Sequence, residues 1–230
     1  MKYGIIGALD AEVALLIENM VVNREVKLCG STYCDGMLCG VPATVVCASV
    51  GTINAAVCAD IIIREFGAQA VVNVGIAGAV DRRLHILDVV VSTDVIFHDM
   101  DPTMDEYYPY AHCFKADERL IALCVRACEV YKERDFACYT GRIATGDRFV
   151  DDSAVKADIV ARTAPFCVEM EGAAIGQVAY MHSVPFIVIR TMSDNADEAA
   201  DKTYDDFMDR AARHSADILM NMLRLSKEES

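Results

Sequence analysis

The chain reads as an α/β protein, and three observations carry that reading. Apolar runs of β type occur at residues 70–78 and 185–190, the second continuous up to Arg190. Helix-period apolar stripes lie before, between and after them, at residues 51–66, 116–132 and 204–225. Glycines or acids then break the chain just past each run. Runs without polar alternation belong to strands covered on both faces, and helices alternating with such strands are what covers them. A length of 230 residues fits one domain over residues 1–230, and no linker, repeat or low-complexity segment divides it.

Tyr3 to Gly7 form a short apolar strand that breaks at Gly7. Asp10 is expected to cap a helix whose stripe is Val13, Leu16, Ile17 and Met20, which puts Glu12 in the first turn beside the end of that strand. A first-turn acid also complements the helix dipole, so position alone leaves Glu12 open between structure and chemistry. No G-x-G-x-x-G pattern supports a dinucleotide fold. Residues 26–50 are β-type with turn signals at Gly30-Ser31, Asp35-Gly36 and Gly40, which predicts a hairpin or meander. Residues 51–66 predict a helix with Ile53, Ala56, Val57, Ala59, Ile62 and Ile63 on a broad apolar face.

Residues 70–78 predict a buried strand ending in a glycine turn, where Gly75 and Gly78 either admit a ligand close to the backbone or simply turn the chain. Residues 88–97 predict a further strand. The acidic, aromatic residues 98–110, with two prolines, predict a lid or interface loop. His98, Asp99 and Asp101 crowd too closely in it to fit zinc spacing. After a helix at 116–132, residues 139–144 form a strand leading into Thr145-Gly146-Asp147-Arg148-Phe149-Val150, where Phe149 can stack on a planar ligand or pack internally. Residues 185–190 predict a central strand that runs out into Thr191 to Asp197, and 204–225 predict a closing amphipathic helix.

Composition narrows the function. A hydrophobic fraction of 54% supports a sizeable core, and a net charge of -14 has the wrong sign for nucleic acid or an anionic membrane. The first seven residues are too short an apolar segment for a signal peptide, and no run of about 18 apolar residues occurs, so a cytoplasmic enzyme or binder is expected. The 10 cysteines form no C-x-x-C pair and several sit inside apolar runs such as Ala43 to Ala48. That usage fits small buried hydrophobes in a reducing compartment, with no metal.

The stretch from Phe166 to Ala174 is the most informative. Glu169 and Glu171 stand two residues apart at the end of an apolar run, just where a helical pattern begins. Ligands in α/β folds bind at the carboxyl ends of strands, so acids delivered there are site candidates. Favourable placement at a helix N-terminus explains one of them equally well. Glu12, Gly75 to Gly78, Phe149, Glu171 and Asp194 all fall at or just past strand ends.

Six motifs in order carry a resemblance over nearly the whole chain: Gly4-Ile5-Ile6-Gly7-Ala8-x-x-x-Glu12, Gly75-x-Ala77-Gly78, His98-Asp99-x-Asp101, Gly146-Asp147-x-Phe149, Val168-Glu169-Met170-Glu171 and Arg190-x-x-Ser193-Asp194-x-Ala196-Asp197. With them the chain resembles the 5'-methylthioadenosine/S-adenosylhomocysteine nucleosidases of the purine nucleoside phosphorylase superfamily. The resemblance implies a single-domain, three-layer α/β/α, phosphorylase/hydrolase-like fold around a mixed, partly barrel-like sheet. It implies hydrolysis of the N-glycosidic bond of 5'-methylthioadenosine, S-adenosylhomocysteine and 5'-deoxyadenosine, as in methionine salvage, with no cofactor. It further implies a homodimer with residues 102–110 at the interface.

Carried over residue by residue, the resemblance makes Asp194 the acid that protonates adenine N7 and Glu12 the base for the attacking water. Glu171 and Met170 would contact the ribose. Phe149 would stack on adenine while the Val150 backbone reads its edge. Arg190 and Ser193 would support the water and the acid, Ala77 and Gly78 would lie against the substrate, and Leu9 and Val50 would line the pocket beside a thioether. The chemistry fits such a set. Breaking a ribosyl C–N bond builds positive charge on the sugar and negative charge on the base, so one carboxylate must be ionised and another protonated near neutral pH.

Two alternatives stay open on sequence alone. A phosphorylase needs an anion site built from arginines and backbone N–H groups. The segment Ala8 to Glu12 is acidic instead, and Arg82-Arg83, the nearby basic pair, also reads as a solvated surface pair. A non-catalytic nucleoside binder would be marked by loss of an acid, yet Glu12, Glu171 and Asp194 are all present. Ile76, where some relatives carry a small polar residue, and the unusual residues 102–110 leave the 5' substituent open.

Overall fold

The computed structural model describes residues 1–131, 136–197 and 199–228. A mixed sheet runs through it, built from β1 (Tyr3–Gly7), β2 (Met20–Leu28), β3 (Ser31–Leu38), β4 (Val41–Cys47), β5 (Ala70–Ala79), β6 (Val89–Phe97), β7 (Phe114–Lys115), β8 (Cys138–Thr145), β9 (Cys167–Glu169) and β10 (Phe186–Asp194). The strand order is β10-β6-β8-β9-β5-β1-β4-β3-β2, and β10 also pairs with β5. That extra pairing closes β10, β6, β8, β9 and β5 into a barrel, from which β1, β4, β3 and β2 continue as an open flap. The helices are α1 (Asp10–Glu18), α2 (Thr52–Arg64), α3 (Glu118–Glu129), α4 (Ser153–Thr163), α5 (Gly172–His182) and α6 (Ala200–Glu228).

Strand periodicity builds the layers. Ile5, Val72, Ile187 and Ile189 share one core with Val13, Leu16, Leu120, Leu123, Leu219 and Leu223 from α1, α3 and α6. Their neighbours Ile6, Val71 and Val188 share another with Ala55, Ala59, Ile62, Ala173 and Ile175 from α2 and α5. Alternate residues of one strand therefore serve opposite faces, and the expected α/β/α sandwich around a partly barrel-like sheet results.

The geometry of β5 creates the site. Along Val71 to Gly78 one of its edges is taken by β10. The other edge is shared: β1 covers Ala70 to Asn73 and β9 covers Gly78 and Ala79. Between β1 and β9 the backbone of Val74 to Ala77 has no strand beside it on that edge. Such a fork at the carboxyl end of β1 is where α/β sheets open a crevice.

Several local expectations are corrected. Leu9, not Asp10, holds the N-cap of α1, and the helix stops at Glu18. Met20 opens β2 instead of closing the helical stripe, because Met20 to Val22 pair with Leu38 to Gly36 of β3. The Asp35-Gly36 turn signal lies inside β3, opposite a register shift between Val22 and Arg24. Asp35 spends its polarity on Lys2 at 2.5 Å, Arg24 at 3.0 Å and Thr44 at 2.6 Å. The actual turns are Cys29-Gly30 and Cys39-Gly40, each with two consecutive positive φ angles, as tight two-residue hairpins require.

On α2 the inward residues are Ala55, Cys58, Ala59 and Ile62, while Ile53 is 76% and Val57 40% exposed, so the broad apolar face is split. Gly75 and Gly78 do not form a turn, since β5 runs through both to Ala79. Likewise β10 does not run out at Arg190 but continues to Asp194. Asp117 caps α3, accepting the N–H groups of Arg119 at 3.0 Å and Leu120 at 3.1 Å, and the expected helix end at Lys132 lies outside the described residues. Residues 98–110 contain a short 3-10 helix, Pro102–Glu106, with Asp101 as its cap.

A methyl group on Gly36 would overlap the carbonyl oxygen of Val21 across the bulge. Gly36→Ala is therefore expected to lower stability by about 2 kcal/mol, read as a shift in urea midpoint at constant slope. A solvent-exposed turn at this position would tolerate the change.

Candidate active site

The crevice beside β5 is a cavity of about 320 Å³. It brings together Leu9, Glu12, Val50, Ala77, Gly78, Phe149, Met170, Glu171, Ser193 and Asp194, all expected from sequence. Arg190 and Val150 do not line it. Arg190 is fully buried behind the acids, and Val150 packs in a small apolar cluster with Ala144, Ile159 and Ala196 under α4. Ala8, Ile76, Val168, Glu169 and Tyr204 complete the walls.

Glu12 reaches from the first turn of α1 back over the end of β1. One of its oxygens accepts the N–H groups of Ala8 at 2.6 Å and Leu9 at 3.0 Å, and the other accepts Ile76 N–H at 2.9 Å. The last bond uses the edge of β5 that no strand covers. The carboxyl is thus fixed from both sides of the fork while it still faces the cavity.

Arg190 sits on β10 opposite Gly75. Its Nη2 donates to Asn73 Oδ1 at 2.6 Å, to Glu171 at 3.3 Å and closely to Glu169. Burial opposes its charge, but Glu169, Glu171 and Glu12 outweigh this and hold its pKa above the ordinary value. Its Nη1 and Nε have no protein partner. A side chain on Gly75 would collide with both Glu12 Oε1 and Arg190 Nη1, so only glycine lets these two groups converge across the strand.

Glu169 is the anchor of the opposite wall. It accepts from Thr145 Oγ1, from Arg190, from Glu171 N–H at 3.1 Å and from Gly172 N–H at 2.8 Å. Thr145 in turn accepts Ala173 N–H at 2.8 Å, which locks β8, β9 and the start of α5 together. Glu171 accepts Gly51 N–H at 2.9 Å. Burial raises its pKa to about 7, with Glu169 adding to the rise while Arg190 and the Gly51 bond oppose it.

Asp194, at the bulged end of β10, accepts Ser193 Oγ–H at 2.8 Å and Ala196 N–H at 2.8 Å. Burial raises its pKa, opposed by those two donors. Across the cavity Phe149 is 39% exposed and meets Tyr204 edge to face at 5.7 Å. Its loop is braced by Asp147, which accepts Thr52 N–H at 2.7 Å and Thr52 Oγ–H at 2.6 Å and donates its own N–H to Asp99 at 2.8 Å. The motif residues Asp99 and Asp147 therefore hold loops, and Asp101 caps a turn.

Sequence reasoning noticed Glu169 but gave the site to Glu171 alone, and it missed Asn73, Thr145 and Tyr204. Asn73 had a readable signal, being a polar residue inside an otherwise apolar strand. Tyr204 had none, because only the fold brings the start of α6 over the crevice. Arg82 and Arg83 lie outside the cavity, where Arg83 pairs with Asp81 at 2.7 Å. Among the described residues no Lys or Arg lines the cavity.

A mixed, partly closed sheet with acids gathered at a strand fork, facing an aromatic lip, defines an α/β protein of the nucleoside-cleaving class. The chain belongs to the phosphorylase superfamily, whose family model matches residues 2–224, and within it to the 5'-methylthioadenosine/S-adenosylhomocysteine nucleosidases. A nucleosidase of that name from Anoxybacillus flavithermus is 36% identical over 97% of this chain and 98% of its own. The Neisseria meningitidis nucleosidase in complex with methylthio-immucillin-A superposes with a TM-score of 0.92 at 35% identity, covering 97% of this chain and 99% of that one. Futalosine hydrolase of Helicobacter pylori is also similar, with a TM-score of 0.89 at 30% identity and 97% of both chains covered.

The pKa of Glu171 gives a stability prediction. Its proton is held to about pH 7 in the fold but released near 4.5 once the chain unfolds. Folding therefore takes up a proton between those values, and the contribution is full below about pH 4.5 and lost as pH rises through 7. Glu171→Gln is expected to flatten this loss, on the order of 2 kcal/mol, in urea unfolding measured from pH 5 to 8.

Proposed function

We propose that the chain hydrolyses the N-glycosidic bond of 5'-methylthioadenosine and S-adenosylhomocysteine, releasing adenine and the 5-substituted ribose. The observation that carries the reading is the placing of two differently held carboxyls, Glu12 and Asp194, in one cavity. Glu12 takes a proton from the attacking water, and Arg190, whose Nη1 converges on Glu12 over Gly75 from behind the cavity wall, supports that carboxylate. Asp194, whose pKa burial moves upward as a general acid requires, delivers a proton to adenine N7 as the C–N bond breaks. The atoms balance, since the hydroxyl goes to the anomeric carbon and the proton to the base.

Glu171 and Met170 contact the ribose, where acidic surroundings stabilise the growing positive charge on the sugar. Phe149 stacks on adenine, Ser193 orients Asp194, and Ala77 and Gly78 form the floor. Leu9 and Val50 accept the apolar 5' group. Water is favoured over phosphate as the nucleophile, because the cavity walls hold acids and the buried arginine is already engaged by them.

The same reading makes the chain a homodimer. Ile53, Val57, Tyr107, Tyr108, Tyr180 and Met181 are exposed apolar or aromatic side chains, and Tyr108 lies 6.3 Å from Tyr180, so residues 102–110 and α5 present one apolar surface. We also read residues 1–230 as one nucleosidase domain. A cytoplasmic setting is supported by the use of cysteine as a small apolar residue, with Cys34, Cys58, Cys124 and Cys167 buried. Among the described residues no helix is long and apolar enough to cross a membrane.

Adenine release from 5'-methylthioadenosine in phosphate-free buffer is expected at the same rate as with phosphate; a requirement for phosphate would overturn the hydrolase reading. Asp194→Asn and Glu12→Gln should each lower kcat by ~10²- to 10⁴-fold while nucleoside binding persists in calorimetry. Sedimentation should give a dimer, and Ile53→Glu combined with Val57→Glu a monomer. A monomeric wild-type chain would remove the interface.

A further inference from the structure

The loop that orients Asp194 leaves the sheet just beyond the last β5–β10 pair, Gly78 with Asp194. Two parallel strands have no ladder to hold them past that point. Yet Asp194 depends on the residues immediately after it, since Ala196 must place its N–H on the carboxylate at 2.8 Å from a left-handed conformation, φ 50°. Non-glycine residues adopt that conformation only when the surroundings impose it.

One side chain spans the gap. Lys156, in the first turn of α4, donates from Nζ to Ala79 O at 3.1 Å and to Asn195 O at 2.6 Å. The first carbonyl is the end of β5, and the second belongs to the residue after Asp194. The ammonium thus continues the pairing of the two strands beyond their ladder. Ala196 packs in the same apolar cluster as Ile159 and Val155 of α4, so the helix grips this loop twice, once by charge and once by packing. The segment entering α4 also carries Phe149 and Val150, and the adenine lip and the acid therefore share one support.

We propose that Lys156 is a positioning residue for the general acid: it pins the carbonyls of Ala79 and Asn195 together and so fixes the loop that aims Asp194. The inference rests on the reading of Asp194 as that acid. The other groups facing Asp194 are the Ser193 hydroxyl, the Asp197 carboxylate, the Tyr204 phenol of α6 and the Cys167 thiol of β9. Lys156 is the positive charge in this set and acts to lower the Asp194 pKa.

The test is kcat and KM for 5'-methylthioadenosine against pH in Lys156→Met, Lys156→Gln and Lys156→Arg, with Asp194→Asn as reference. Lys156→Met is expected to lose about tenfold in kcat with KM within about twofold, as a misplaced acid should. Loss of the positive charge should also move the alkaline limb of kcat up by roughly half a pH unit. Lys156→Gln, which keeps an N–H donor without the charge, should move the limb equally and retain more kcat, whether or not the Met variant folds. Lys156→Arg should leave the limb in place. A limb that stays or moves down in Lys156→Gln, or a rise in KM at unchanged kcat, overturns the proposal. Full turnover in Asp194→Asn would instead sink the reading of Asp194 itself.

Discussion

The buried guanidinium of Arg190 is the constraint around which the rest of the structure is arranged. A fully enclosed charge is tolerable only when paired and hydrogen-bonded, and here Glu169, Glu171 and Asn73 provide for one nitrogen of it. Glu169 and Glu171 arrive from the end of β9 and Asn73 from β5, so the ion cluster also ties β10, β9 and β5 together at the mouth of the barrel. Removing the Glu169 carboxylate would leave the buried guanidinium undercompensated, a change that typically costs about 3–5 kcal/mol. The cluster leaves a surplus of acid on the cavity side, and a cationic sugar is the species that such a surplus favours.

The fork in β5 explains why this cluster can face a ligand at all. Had β1 or β9 covered the whole edge, Ile76 N–H would have gone into a ladder and Glu12 would have had no anchor beyond its own helix. Because the edge is vacant from Val74 to Ala77, a side chain takes the place of a strand. The glycine at position 75 belongs to the same solution: it is a place inside the strand where two opposite charges pass over the backbone, and any side chain would separate them. The bulge before Asp194 turns the other strand end toward the same space.

Much of this was legible in the linear chain. The largely apolar runs at 70–78 and 185–190 marked strands covered on both faces, since only burial on both sides removes the need for polar alternation. The spacing of motifs around Glu12, Gly78, Phe149, Glu171 and Asp194 named nearly every wall of the cavity. Local rules failed where tertiary pairing overrode them. Asp35-Gly36 has the composition of a turn, yet it lies within β3 because the neighbouring strand needs an extra residue there. Ile53 and Val57 have helical spacing with the core residues, yet they point outward, and periodicity alone cannot tell a core face from an exposed apolar one.

By itself the sequence determined the layer order, the buried strands and the identity of the acids, because burial and period are written into residue type and spacing. Only the tertiary structure decided what each acid does. Glu169 and Glu171 are near neighbours of the same type in one motif and both meet Arg190 and the cavity, but Glu169 also holds Thr145 and the start of α5, while Glu171 accepts the Gly51 N–H and has its pKa pushed upward by burial. Asn73, Thr145, Lys156 and Tyr204 entered the account in the same way. Their roles depend on contacts between elements far apart in the chain, and neither propensity nor local spacing encodes which carbonyl, carboxylate or ring a side chain will meet after the barrel closes.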